Sequence, residues 1–134
     1  MPVPTGLRIV RIRNARAGAA NPNDEWILIN NEGRQAWQIV DWMVTDETPE
    51  QKRVHEYRLP EVIGNTPWQF EPGESIYVFT GVGTDKFIAK PSNGGRPQFH
   101  LFMNRHAMVW NNTGDRAYLR NDDGTFVTEP FPVP

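Results

Sequence analysis

The chain has 134 residues, a formal charge of −2, no cysteine, twelve prolines and eleven glycines. That length suits one domain with a hydrophobic core of its own, while the missing cysteines exclude disulfides and thiolate metal sites. The near-neutral charge excludes a global field that would draw the protein to nucleic acid or an anionic membrane. No apolar run approaches the roughly 20 residues of a membrane helix, and the opening "MPVPTGLRIVRIR" has no signal-peptide core. The expectation is a soluble chain without membrane insertion, cytoplasmic as written or excised from an exported protein.

Residues 1–6 read as an extended, proline-rich end. "LRIVRIR" (Leu7–Arg13) is a strand in which Leu7 and Ile9 share one parity and Val10 and Ile12 the other, so a bulge is expected. "NPND" at 21–24 is turn chemistry. "EWILIN" at 25–30 is apolar on both faces, as a central strand is, and "NNEG" closes it. In "AWQIVDWMVTD" (36–46) the apolar parity changes between Trp37/Ile39 and Trp42/Val44. That predicts two short strands with a kink near Val40 and Asp41. "VHEYRLP" (54–60) and "ESIYVFTG" (74–81) are further strands, the second entered through the turn "EPGES". The stretch "QFHLFMNRHAMVW" (98–110) is left open between strand and helix, since Phe99, Phe102, Met103 and His106 fall at helical spacing while the flanks read as strand. "DRAYLRN" and "TFVTE" form a hairpin through "DDG". Ala117 and Leu119 face one side of it, and Arg116, Tyr118 and Arg120 the other. "TEPFPVP" (128–134) is a second extended end, which leaves 7–127 as the folded domain.

Two polar knots invite a catalytic or metal-binding interpretation, "NNTGD" at 111–115 and "NDDG" at 121–124. A calcium loop needs alternating oxygens and a carboxylate at its twelfth position. Setting Gly124 on the loop glycine puts Leu119 first and Pro130 twelfth, and setting Gly114 there gives Val109 and Arg120, so both registers fail. Asn112, Gly114, Asp115, Asp123 and Gly124 are accordingly expected as turn residues. "TGVGTDK" (80–86) lacks the glycine spacing of a phosphate loop and reads as an exposed loop. His55, His100 and His106 lie on no zinc-ligand spacing. Ser75 and Ser92, the only serines, stand in no nucleophile elbow. The expectation is therefore no catalytic residue, no metal, no cofactor and no small-molecule substrate. The one chemically distinctive surface is arginine-rich: Arg11 and Arg13 on the first strand, and Arg116, Tyr118 and Arg120 on the penultimate one.

With those segments in hand, the chain resembles the lamin-tail domain family, of bacterial or archaeal type. The matching pieces run in family order: "DEWILINN", "IVDWMVTDE", "YRLP", "FEPGESIYVFTGVGT" and "VWNNTGDRAYLRNDDGTFV". One departure is Val40-Asp41-Trp42, where the family usually has glycine before the tryptophan. The resemblance implies an all-β, immunoglobulin-like sandwich of about seven to nine strands without a disulfide. Its expected core is Trp26, Leu28, Trp42, Ile76, Val78, Trp110, Ala117 and Leu119. It also implies a non-catalytic tethering or assembly module that meets a protein partner or a second copy of itself. Two other functions are carried alongside: nucleic-acid contact through the arginine faces, and carbohydrate or surface adhesion through Trp37 or Trp68.

Overall fold

Alternation of apolar and polar side chains with a period of two lets each short segment bury one face and hydrate the other, which favours strands. The computed structural model describes residues 6–13, 25–46, 56–92, 94–105, 116–120 and 126–130, and none of these is helical. The strands in chain order are β1 Leu7–Arg13, β2 Trp26–Asn31, β3 Met43–Asp46, β4 Glu56–Arg58, β5 Val62–Ile63, β6 Thr66–Pro67, β7 Ser75–Phe79, β8 Lys86–Ile88, β9 Gln98–Phe102, β10 Arg116–Arg120 and β11 Phe126–Pro130. A five-stranded sheet has the order β1-β2-β7-β9-β8, a four-stranded sheet the order β11-β10-β3-β4, and β5 and β6 pair alone. Pairing is antiparallel apart from β7 with β9, because the chain leaves β7 for the edge position β8 before returning between them.

Both sheets contribute to one core. Ile9, Ile27, Ile29, Ile76, Val78 and Leu101 come from the larger sheet, and Val44 and Leu119 from the smaller, with Trp42 just ahead of β3 and Phe70 wholly enclosed. Each such aliphatic side chain stabilises by about 1.5–3 kcal/mol through burial. The expected bulge lies in β1: Ile9 pairs with Ile29 and Arg11 with Leu28, leaving Val10 as the extra residue. That extra residue is what allows Leu7, Ile9 and Ile12 all to point inward.

The kink before Trp42 has a backbone cause. Asp41 stands at φ 65°, in the left-handed region where aspartate is among the few tolerated side chains. The chain thus bends here without a glycine, and Trp42 is still buried. The turn into β7 has Pro72 then Gly73 at φ 86°, closed by the Glu74 amide donating to the Glu71 carbonyl at 3.2 Å, the arrangement of a type II turn. Gly64 and Asn65, both at positive φ, make the two-residue connection between β5 and β6, a hairpin that the strand patterns above do not include.

Of the expected core, Trp42, Ile76, Val78 and Leu119 are buried. Trp26 and Leu28 require a correction: they are half-buried, on the side of β2 away from the core, while Ile27 and Ile29 point in. A strand apolar on both faces carries no alternation to say which parity is inward. The open stretch at 98–110 is strand over Gln98–Phe102, with Phe99 and Leu101 inward. β11 continues three residues past Val127 to Pro130. Trp110, Asn112, Gly114, Asp115, Asp123 and Gly124 lie outside the described residues, and Arg116 and Ala117 enter only through backbone pairing with β3 and β11.

Candidate interaction site

The inward parity of β2, β7 and β9 sends Trp26, Leu28, Tyr77, Phe79, His100 and Phe102 to the outer face of the five-stranded sheet, where all six are half-buried. Strand register sets them in two rows. One reads Arg13, Trp26, Phe79, Phe102, and the other Arg11, Leu28, Tyr77, His100, Lys86. Phe79 stacks on Phe102 at 5.0 Å between centroids, and Tyr77 meets Trp26 edge-on at 5.2 Å. His100 is edge-on to both Tyr77 at 5.6 Å and Phe79 at 5.3 Å. The Arg11 guanidinium lies 5.8 Å from the Trp26 ring centre, a cation–π distance.

His100 also pairs its Nε2 with Gln98 Oε1 at 2.6 Å. Burial pushes its pKa below the ordinary value, and the charge of Lys86 pushes it the same way, so the ring is neutral at pH 7. The result is a continuous apolar and aromatic stripe with cations at both ends. A loop borders it: the Phe102 amide donates to Asp85 Oδ1 at 3.0 Å and the Gly83 amide to Asn104 Oδ1 at 3.3 Å. A Cβ on Gly83 would come within 2.5 Å of the Phe102 ring, so a side chain there would displace that ring.

The expected arginine face divides between two sheets. Arg11 and Arg13 are exposed on β1 beside the aromatic rows, whereas Tyr118 and Arg120 alternate with buried Leu119 on β10 of the other sheet, with the Arg120 guanidinium 5.0 Å from the Tyr118 ring centre. The two groups thus belong to different sheets, although β1 runs against β10. Trp68 is a core residue that donates from Nε1 to the Pro60 carbonyl at 2.9 Å, and Trp37 leans on the core 6.1 Å from Trp42. Of the two tryptophans expected for adhesion, Trp68 is therefore buried while Trp37 is half-buried. The aromatic rows themselves escaped prediction, although the period-two spacing of Tyr77 with Phe79 and His100 with Phe102 is their signal.

The polar ends of β2 are architectural. Glu25 is fully buried and accepts from the Thr80 hydroxyl at 2.8 Å, while the Thr80 amide donates to the Glu25 carbonyl at 3.0 Å. Asn31, also fully buried, donates from Nδ2 to the carbonyls of Gln35 at 2.9 Å and Phe70 at 3.0 Å, and accepts at Oδ1 from the Gly33 amide at 3.1 Å. Among the described residues no three histidines or carboxylates gather to hold a metal. His55, His106 and Asp115 lie outside them. The chemistry on offer at the outer face is therefore apolar contact, ring contact and cationic flanks.

Two facing sheets without a cysteine bridge define an immunoglobulin-like β-sandwich. Residues 5–129 match the model of the Lamin Tail Domain family, and the chain belongs to that family. No curated protein matches the sequence.

Proposed function

We propose that this lamin-tail domain is a non-catalytic interaction module that docks a protein partner on the outer face of its five-stranded sheet. The observation that carries this reading is the pair of aromatic rows, Trp26, Phe79, Phe102 and Leu28, Tyr77, His100, with Arg11, Arg13 and Lys86 at their ends. Tryptophan, tyrosine and arginine are the side chains that carry most binding energy at protein interfaces. Rigid strands also hold them at little entropic cost. Tyr77→Glu puts a charge in the stripe without touching the core. The test is affinity capture on immobilised parent and Tyr77→Glu chains, followed by sedimentation of the reconstituted pair. A protein that the parent retains and forms a defined complex with, and that the variant loses, supports the proposal. Equal capture by both chains would contradict it.

A second reading is single-stranded nucleic acid, favoured by cations flanking aromatic rings on a sheet. It is disfavoured by ring geometry, since the rings pack on one another edge-on or stacked and leave few open faces for bases. Titration of oligonucleotides at two salt concentrations separates the two, because phosphate contacts make affinity fall steeply with salt.

A further inference from the structure

A concave site lies between the β5–β6 hairpin and the edge strand β8, adjoining the end of the second row at Lys86. It encloses about 520 Å³ and is lined on its apolar side by Ile63, Pro67, Trp68, Phe87 and Phe99, a volume within the roughly 300–1,000 Å³ of specific binding pockets. Phe99 and Trp68 form its buried floor, their rings 4.8 Å apart, and Phe87 lies 4.6 Å from Phe99 while remaining 42 % exposed. Two carboxylates, Glu74 and Asp85, also line it, together with Lys86. Burial raises the pKa of both carboxyls above their ordinary values.

β8 ends the five-stranded sheet, with β9 on one side and no strand on the other among the described residues. An uncovered strand edge is a template for a further strand. The opposite edge is protected by contrast. β1 carries a bulge at Val10, exposes Arg8, Arg11 and Arg13, and lies against β10 and β11. Along β8 the apolar Phe87 side chain stands out beside the cleft instead.

We propose that this cleft receives an extended segment of a partner protein, which adds as a strand along β8, places an apolar side chain against Trp68, Phe87 and Phe99, and sets a lysine or arginine opposite Glu74 and Asp85. Main-chain pairing supplies affinity in such strand addition, and the pocket beside the edge supplies selectivity. The carboxylates decide the sign of the partner. Both lose hydration on burial, so a cation brought to them relieves a penalty that an anion would deepen. The inference stands on the cleft and the edge alone, and does not depend on the aromatic rows.

The test uses the full chain, labelled with nitrogen-15, and two synthetic heptapeptides. One alternates lysine with valine around a central leucine, and the other has glutamate for each lysine. The lysine peptide is expected to give saturable amide shifts at 63–69 and 85–88, and the glutamate peptide to bind at least about tenfold more weakly. Phe87→Asp should abolish the shifts in a chain that still unfolds cooperatively, since Phe87 is 42 % exposed and outside the buried core. Asp85→Asn and Glu74→Gln should each weaken the lysine peptide. Equal binding of both peptides, shifts that map to Tyr77 and Phe102 instead, or no binding of the lysine peptide would overturn the proposal. Capture at the outer face should be unchanged in Phe87→Asp, so the two sites fail separately.

Discussion

Asn31 shows how much of this fold rests on single polar side chains. It is fully buried at the end of β2, and its amide group holds two carbonyls and one N–H across three segments. Asn31→Asp removes both donors and sets a carboxylate oxygen against the carbonyls of Gln35 and Phe70. The expected loss is about 2–4 kcal/mol, read as a drop in the urea midpoint with an unchanged slope. Asp41 predicts the opposite sign. Its φ of 65° costs a side chain roughly 1 kcal/mol that glycine avoids, so Asp41→Gly is expected to be neutral or slightly stabilising by the same measurement. His100 gives a pH dependence. Its folded pKa lies below the ordinary value, so the unfolded chain takes up the proton first. The contribution of His100 to stability is present above about pH 6.5 and lost as pH falls through the folded value. Between about pH 7.5 and pH 5.5 the parent should lose more stability than His100→Gln does.

β2 shows at the level of the element what a sequence can and cannot disclose. Its existence, its central position and its polar ends were legible in "DEWILINN", because a strand paired on both sides is apolar on both faces. Which face was inward was not legible, since Trp26/Leu28 and Ile27/Ile29 offer equal apolar content. The bulge in β1 was visible as a change of parity, and the kink before Trp42 as another. The β5–β6 hairpin was missed although Gly64 and Asn65 carry the signal, because its strands are two residues long and show no period. The inward parity is tested by a pair of truncations. Ile27→Ala is expected to cost about 2–5 kcal/mol, whereas Leu28→Ala, on the half-buried outer face, should cost clearly less. Equal losses in thermal unfolding would reverse the orientation of β2. Spacing along two strands does not reveal that β1 and β10, which carry the arginines, belong to different sheets.

For the whole molecule, two sheets share one core and leave two unlike surfaces. The outer face of the five-stranded sheet is aromatic with cationic ends, and the cleft at β8 is apolar with acidic walls. The first was unreadable in outline because it assembles two residues each from β1, β2, β7 and β9 and one from β8, with register alone setting them in rows. The most direct measurement is photo-crosslinking from a benzoylphenylalanine placed at Tyr77 in chains expressed in their own cells, with the same group at exposed Gln38 as control. A discrete protein adduct is expected from Tyr77, absent from Gln38 and abolished when Phe79 is also changed to lysine in a chain that still melts cooperatively. No adduct from Tyr77, or the same adducts from both positions, would contradict the assignment of this face to partner docking.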